Sequence, residues 1–176
     1  MKKFELTSEF KLFLGRKLFR IKALVAFGNV EAGELGGYVE KESNLSHDGD
    51  AWVYGNAWVY GDAKVYGNAK VYGDAWVCGN AKVCGDAWVY GNAKVYGDAD
   101  YTVIKGFGSE FRATTFFRQK DKTIGVRCGC FYGTLEAFRE KVRETHGESK
   151  LAKEYLMIAE LMEYHFESEG EKNETV

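Results

Sequence analysis

Valine recurs at every sixth position through the middle of the chain, and an alanine stands two positions before each of these valines. Between residues 51 and 99 the unit reads V-Y-G-[N/D]-A-[K/W] and has no insertion. In an extended A-x-V triplet both small apolar side chains point to one side, so the Lys or Trp between them points to the other. The Gly and Asn or Asp that follow tolerate the positive φ of a corner. The pattern therefore predicts short strands joined by corners, wound into a coil that buries Ala and Val.

This repeat resembles the hexapeptide repeat of left-handed parallel β-helices. In that family three hexads form one triangular coil, so we expect residues 18 apart to stack at about 4.8 Å, the ordinary strand spacing. Weaker hexads extend the match back to Val39 and Leu45 and forward to Tyr101, and a two-residue insertion near His47 and Asp48 interrupts the phase. An antiparallel meander is the alternative, because Gly-Asn and Gly-Asp are also hairpin turns. The meander leaves the Ala/Val face uncovered, which favours the coil.

Asparagine and aspartate alternate strictly along the predicted corners. With three corners in each coil, this alternation places Asn beside Asp in every stack. Two carboxylates are then never direct neighbours at strand spacing, which avoids like-charge repulsion. A repeat that arose by duplication of a twelve-residue unit would show the same alternation, so that explanation stays open.

A coil of 18 residues also assigns each outward side chain to one of three faces. The tryptophans fall on two faces, with Trp52 and Trp88 on the first and Trp58 and Trp76 on the second. Outward tryptophan on a flat wall forms an apolar patch of the kind that marks an interface. Because β-helices of this family commonly trimerise through their walls, we predict that these four residues form the interface of a homotrimer. The alternative is that the aromatic rings only stack as ladders that stiffen the coil.

Composition limits the remaining possibilities. The net charge of −2 argues against nucleic acid as a partner, and charged residues interrupt any signal-peptide core near the N-terminus. No apolar stretch approaches the length of a membrane span. We therefore expect a cytoplasmic protein that binds neither a membrane nor nucleic acid. Cys78 and Cys84 fall on different corners and Cys128 and Cys130 are interpreted as core thiols, so no metal site is predicted.

The segments outside the repeat predict a small α+β module built from both chain ends. Apolar runs on either side of Gly15-Arg16 predict a hairpin, Thr134 has the character of a helix N-cap, and Gly147 separates two helices. The predicted organisation is an N-terminal hairpin segment (1–35), the β-helix (36–104), a C-terminal segment of two strands and two helices (105–166) and a disordered acidic tail (167–176).

The predicted C-terminal strands present a polar face with candidate binding chemistry. Arg112, Thr114, Phe116 and Arg118 alternate on one strand, and Arg127 lies on the next. Guanidinium groups beside a hydroxyl and an aromatic ring suit a phosphate or carboxylate, which arginine contacts in bidentate fashion. We interpret these five residues as a binding site for an anionic small molecule, with an ordinary solvated sheet surface as the alternative.

The flanks of the repeat also resemble a known group of proteins. The segments are FGNVEAGELGGYVEKESNLS from Phe27, GCFYGTLEAF from Gly129 and THG from Thr145. They are similar to hexapeptide-repeat proteins encoded by phages and prophages of bacteria. The resemblance implies a viral accessory protein in the cytoplasm of a bacterial host cell, without established catalytic residues, cofactor or metal.

These observations favour a non-enzymatic, oligomeric binding protein. A phage accessory protein of this kind would suppress host antiviral defence, either by sequestering a phosphorylated or nucleotide signal or by blocking a defence protein. Two alternatives remain. One is a hexapeptide-repeat acyltransferase, for which His47 is the candidate general base. The other is a structural or assembly protein of the virion.

Overall fold

The computed structural model describes residues 1–167, so all of the predicted acidic tail except Glu167 lies outside the described residues. Within that range no helix combines the length and the apolar character needed to cross a bilayer. The elements in chain order are β1 (Phe4–Phe13), β2 (Arg16–Ala23), β3 (Leu35–Val39), β4 (Trp52–Val53), β5 (Trp58–Val59), β6 (Lys64–Val65), β7 (Lys70–Val71), β8 (Trp76–Val77), β9 (Lys82–Val83), β10 (Trp88–Val89), β11 (Lys94–Val95), β12 (Tyr101–Ile104), β13 (Thr114–Arg118), β14 (Ile124–Cys128), β15 (Phe131–Thr134), α1 (Leu135–His146) and α2 (Lys150–Phe166).

The centre of the chain is a β-solenoid of stacked parallel coils. Strands 18 residues apart pair in parallel on three faces: β4, β7 and β10 on the first face, β5, β8 and β11 on the second, and β6 and β9 on the third. The valine of each of these strands, and the alanine two positions before it, is fully buried. The predicted coil is confirmed, and the parallel pairing excludes the antiparallel meander.

The first coil is longer than the others. Val39 pairs with Val59, and Leu45 bridges to Val65, so the two residues of each pair are 20 positions apart in the sequence. Stacked residues of the later coils are 18 positions apart. This difference confirms the insertion of two residues predicted near His47 and Asp48.

The corners follow the predicted Asn/Asp order. Asn68 donates a hydrogen bond from Nδ2 to Oδ1 of Asp86 in the next coil, at 3.1 Å. The glycine before each Asn or Asp up to Gly91 has positive φ, and at Gly67 a Cβ would lie 3.0 Å from the backbone N of Gly85. Glycine therefore serves both the corner conformation and the close stacking of corners.

The N-terminal hairpin continues the second face of the solenoid. Strand β1 pairs with β2, β2 pairs with β3, and β3 leads into the parallel stack of β5, β8 and β11. The hairpin turn lies at Leu14-Gly15, both with positive φ, one residue before the predicted position. The fully buried Phe4 and Ile21 join the solenoid core at this end.

The C-terminal segment is a four-stranded antiparallel sheet, β12-β13-β14-β15, covered by α1 and α2. Thr134 caps α1, since its Oγ1 accepts a hydrogen bond from the amide of Ala137, and Gly147 follows the helix with positive φ. Two differences from the sequence prediction concern strands. Tyr101–Ile104 pairs with β13 and so belongs to this sheet and not to the solenoid, and β15 was not predicted.

The two chain ends do not build one module, contrary to the prediction. The order of strands on the second face places the hairpin at one end of the stack, whereas the C-terminal sheet packs on the last coil at the other end, through β10 and β11. Strand β13 joins two cores: Phe117 is fully buried in the solenoid core, and its neighbour Phe116 is fully buried against the helices. The C-terminal sheet thus closes the open end of the solenoid.

Candidate functional site

Four of the five predicted ligand-binding residues lie on two different faces of the C-terminal sheet, and Arg112 precedes its strand β13. Across β13 and β14, Arg127 pairs with Thr115, whereas Thr114 pairs with Cys128. Directly paired residues share a face, and neighbours along a strand do not. Arg127 therefore lies on the side of the sheet that faces the solenoid, away from Thr114, Phe116 and Arg118. The predicted common face is wrong.

Thr114 and Phe116 belong to the interior. The Oγ1 of Thr114 donates to the sulfur of Cys128 at 3.1 Å, and Thr114 is almost fully buried. Phe116 is inaccessible to solvent and packs edge-on against Phe138 of α1. Neither side chain is available to a ligand.

Arg118 stabilises the end of α2. Its Nη2 donates to the carbonyl oxygen of Phe166 at 2.7 Å, and its Nε lies 3.3 Å from a carboxylate oxygen of Asp100. A cation at a helix C-terminus satisfies a carbonyl that lacks an intrahelical partner and interacts favourably with the helix dipole. Arg118 is therefore assigned to the fold and not to a ligand site.

Arg112 and Arg127 do meet, in a cleft between the first face of the solenoid and the C-terminal sheet. We call it the Trp88 cleft. Its volume is about 420 Å³, within the usual range for small-molecule sites. The residues that line it are Asp86, Trp88, Arg112, Ala113, Thr115, Arg127 and Gly129.

The guanidinium of Arg127 is held in place on the floor of the cleft. Its Cζ lies 5.1 Å from the ring centroid of Trp88 and 5.5 Å from that of Tyr90, and its Nη1 donates to the carbonyl of Phe131 at 2.9 Å. Its Nε is buried and has no hydrogen-bond partner within residues 1–167. Contacts with the two aromatic rings fix the cation without neutralising it, so its charge is available to an anion.

The acidic residue of the cleft is already balanced. Asp86 accepts from Nζ of Lys105 at 2.7 Å and from Asn68 at 3.1 Å, and the bond to Lys105 is the main reason why the pKa of Asp86 is lowered. The exposed Arg112 lies 3.4 Å from Glu110 through Nη2. With Asp86 paired to Lys105 and Arg127 free of carboxylate contacts in the described residues, the cleft has an excess of positive charge.

Sequence reasoning missed two parts of this cleft. The repeat predicts Asp86 as a corner residue, and Trp88 as part of an oligomer interface or of an aromatic ladder. The outward position of Trp88 was visible in the repeat, but its partner was not, because nothing in the sequence shows which wall the C-terminal sheet covers.

His47, the candidate general base, is engaged on both ring nitrogens. Its Nδ1 accepts from the backbone amide of Lys3 at 3.1 Å, and its Nε2 lies 2.7 Å from Oε1 of Glu42. The bond with His47 is the largest cause that lowers the pKa of Glu42. The ring also stacks on Phe4 at 4.4 Å. His47 thus fixes the N-terminus to the inserted corner, and this arrangement leaves neither nitrogen open to a substrate proton.

Trp52 is completely buried within its own chain, which corrects its predicted place in an exposed interface. Its ring centroid lies 5.4 Å from that of Phe27 and 6.2 Å from that of Phe4, both supplied by the N-terminal segment.

Trp58 and Trp76 form an aromatic ladder on the second face. Their rings stack at 5.0 Å and 7°, and Phe13 at the tip of the hairpin lies 5.1 Å from one and 5.0 Å from the other. On another row, Tyr54 and Tyr72 stack at 4.1 Å. The ladders are thus present, and the interface role of the half-buried Trp58, Trp76 and Trp88 stays a prediction.

All four cysteines are free. Cys78 is buried and Cys128 is half-buried, but Cys130 is exposed, so its interpretation as a core thiol is wrong. Alternation along β14 ends at Cys128, because Gly129 turns the chain with positive φ before β15 begins.

Comparison with known families agrees with the fold of the centre of the chain. A family model described as the YdcK beta solenoid repeat matches residues 63–79. This segment lies within the repeat and includes strands of all three faces, so the match supports the β-solenoid and says nothing about the flanks. A search of curated proteins found no match.

Proposed function

We propose that this protein is a non-enzymatic binding protein that holds a phosphorylated, nucleotide-type anion in the Trp88 cleft. The observation that supports this proposal is the meeting of Arg112 and Arg127 beside the half-buried ring of Trp88 in one cavity. Guanidinium groups match the geometry of phosphate oxygens, and an indole ring offers a flat apolar surface to a base.

The biological form of the proposal is suppression of bacterial antiviral defence by sequestering such a signal. Its basis is the resemblance of the flanking segments to phage and prophage proteins, and a location in the host cytoplasm is part of the same proposal. Blocking a defence protein is the other form. The engagement of both nitrogens of His47 argues against the acyltransferase alternative.

Calorimetric titration tests the proposal. ADP-ribose, ADP and cyclic di-AMP are titrated into the wild type, Arg112→Gln, Arg127→Gln and the control Lys82→Gln, whose lysine is exposed on the third face. We expect binding of at least one ligand, and a loss of about tenfold or more in affinity in each arginine variant, because a charge-assisted hydrogen bond is removed. The control should bind like the wild type.

Because the side chain of Arg112 is exposed, we expect Arg112→Gln to fold like the wild type. Its affinity can therefore be interpreted even if Arg127→Gln disturbs the packing on Trp88. Absence of heat with all three ligands, or unchanged affinity in both arginine variants, would exclude the cleft as a nucleotide site.

Self-association is a separate part of the proposal. The stacked Trp58 and Trp76 keep part of their surface on the second face after Phe13 has covered them. A homotrimer that uses this wall would give three times the chain mass in light scattering, and the double variant Trp58→Lys/Trp76→Lys would reduce it to the mass of one chain. A wild-type protein of single-chain mass at high concentration would contradict this part.

A further inference from the structure

A second cavity, of about 330 Å³, lies on the other side of the β14–β15 turn from the Trp88 cleft. We call it the Phe138 pocket. Its apolar wall is formed by Phe131, Phe138, Val142 and the ring of Tyr155, which come from β15, α1 and α2. Phe138 and Val142 are almost fully buried in the core beneath it.

The two cavities meet at the same two residues. Arg112 and Gly129 line both the Trp88 cleft and the Phe138 pocket. Gly129 has positive φ, and a Cβ there would lie 3.2 Å from Nη1 of Arg112. A side chain at this position would crowd the guanidinium of Arg112. Glycine therefore lets the arginine pack against the turn, between the two cavities.

The chemistry of the Phe138 pocket differs from that of the cleft. Burial is the main cause that raises the pKa of the Tyr155 hydroxyl to about 12, so it stays neutral at physiological pH. The ring of His146 stacks beside Tyr155 at 5.8 Å, and Lys141 on the rim is paired with Glu144 at 2.9 Å. An apolar wall beside a neutral hydroxyl and a paired lysine accepts an uncharged, apolar substituent and not a second anion.

We propose that the Trp88 cleft and the Phe138 pocket are two halves of one site, which binds an organic anion with a planar group and an additional apolar arm. The planar anion occupies the cleft beside Trp88 and Arg127. The arm passes over Gly129 into the Phe138 pocket, and Arg112 contacts the anion at the junction. This inference rests on the proposed function, because it needs the anion to occupy the cleft.

Two probes that differ only in the arm test the inference. Naphthalene-1-sulfonate is a planar anion, and 8-anilinonaphthalene-1-sulfonate is the same anion with an added aniline ring. Their dissociation constants are measured by calorimetry with the wild type, Arg112→Gln, Arg127→Gln and Thr145→Phe. Thr145 is exposed on the rim of the pocket, so phenylalanine there fills the space without removing a core side chain. Glu140→Phe, exposed on the same helix and outside the pocket lining, is the matched control.

The inference predicts that the aniline ring improves affinity by about tenfold or more, as expected for burial of an aromatic group. Thr145→Phe should remove that gain and leave the affinity for naphthalene-1-sulfonate unchanged, whereas Glu140→Phe should alter neither. Arg112→Gln should weaken both probes.

Two contrary results separate the inference from the function it rests on. If both probes bind, depend on Arg112 and keep the same affinity ratio in Thr145→Phe, the arm does not enter the pocket and the inference fails alone. If neither probe binds, or if binding is indifferent to Arg112→Gln and Arg127→Gln, the anion site in the cleft fails as well.

Discussion

The hydroxyl of Thr115 accepts a hydrogen bond from the backbone amide of Trp88, with 3.0 Å between N and Oγ1. One coil earlier on the same face, the amide of Lys70 donates to the carbonyl of Ala87 at 2.8 Å. Thr115 thus takes the place of the carbonyl that a further coil would supply. This bond joins the last coil to the C-terminal sheet at the wall of the Trp88 cleft, so stability and site geometry depend on the same contact.

Replacing Thr115 by valine keeps the shape of the side chain and removes the acceptor. The partly buried amide of Trp88 then loses its acceptor, and we expect the free energy of unfolding to fall by about 1–3 kcal/mol. Urea denaturation followed by circular dichroism measures the change. Thr115→Ser retains the hydroxyl and should lose clearly less, so equal losses in the two variants would contradict the role assigned to the hydrogen bond.

Phe117 closes the open end of the solenoid core. Since its side chain is fully buried there, Phe117→Ala should destabilise the protein by about 3–5 kcal/mol. The same substitution at Phe111, which is 66% exposed, should change stability by no more than about 0.5 kcal/mol. Thermal or urea unfolding of both variants measures the difference, and similar losses at the two positions would show that Phe117 does not plug the core.

The alternation of Asn and Asp along the corners is tested by breaking one stack. Asn68→Asp places a carboxylate beside Asp86, so we expect a loss of about 0.5–1 kcal/mol that shrinks in 1 M NaCl. Adding Asp86→Asn restores one amide and one carboxylate in the stack and should recover part of the loss. A single variant as stable as the wild type at low salt would favour duplication history as the reason for the pattern.

Lys94 provides a pH test of the solenoid wall. It is almost fully buried over the ring of Trp76, and burial is the main cause that lowers its pKa from 10.5 to about 8. Between pH 8 and 10.5 the unfolded chain therefore keeps a proton that the folded protein has released. The unfolding free energy of the wild type relative to Lys94→Met should rise with pH across this window, by about 1 kcal/mol near pH 9.5, and be constant below pH 7. A difference that does not change with pH would contradict the assigned burial.

Much of the solenoid could be predicted, because its determinants are local and repeated. The spacing of the valines predicts the six-residue unit, the resemblance to left-handed β-helices implies three units in each 18-residue coil, and the interrupted phase near His47 predicts the longer first coil. Each unit stacks on its neighbours in the same way, so one correct register applies to all of them.

The candidate site could not be predicted in the same way, because it depends on register between strands. Alternation correctly places Thr114, Phe116 and Arg118 on one side of β13. It cannot assign Arg127 of β14 to a side of the sheet, since a shift of one residue in pairing reverses the face of a whole strand. The observed pairing of Thr115 with Arg127 turns this arginine towards the solenoid.

The coverage of the tryptophan walls is also a tertiary property. Outward tryptophan indicates an apolar wall, but the sequence does not tell whether a partner chain or the chain's own ends cover it. Phe27 and Phe13 pack on Trp52 and Trp58 from positions far away in the sequence.

A crystal structure of the protein with ADP-ribose at saturating concentration tests the central claim most directly. The account predicts ligand density in the Trp88 cleft, with phosphate oxygens within hydrogen-bonding distance of Arg112 and Arg127. Density for the ligand at another surface, with the cleft empty, would contradict it.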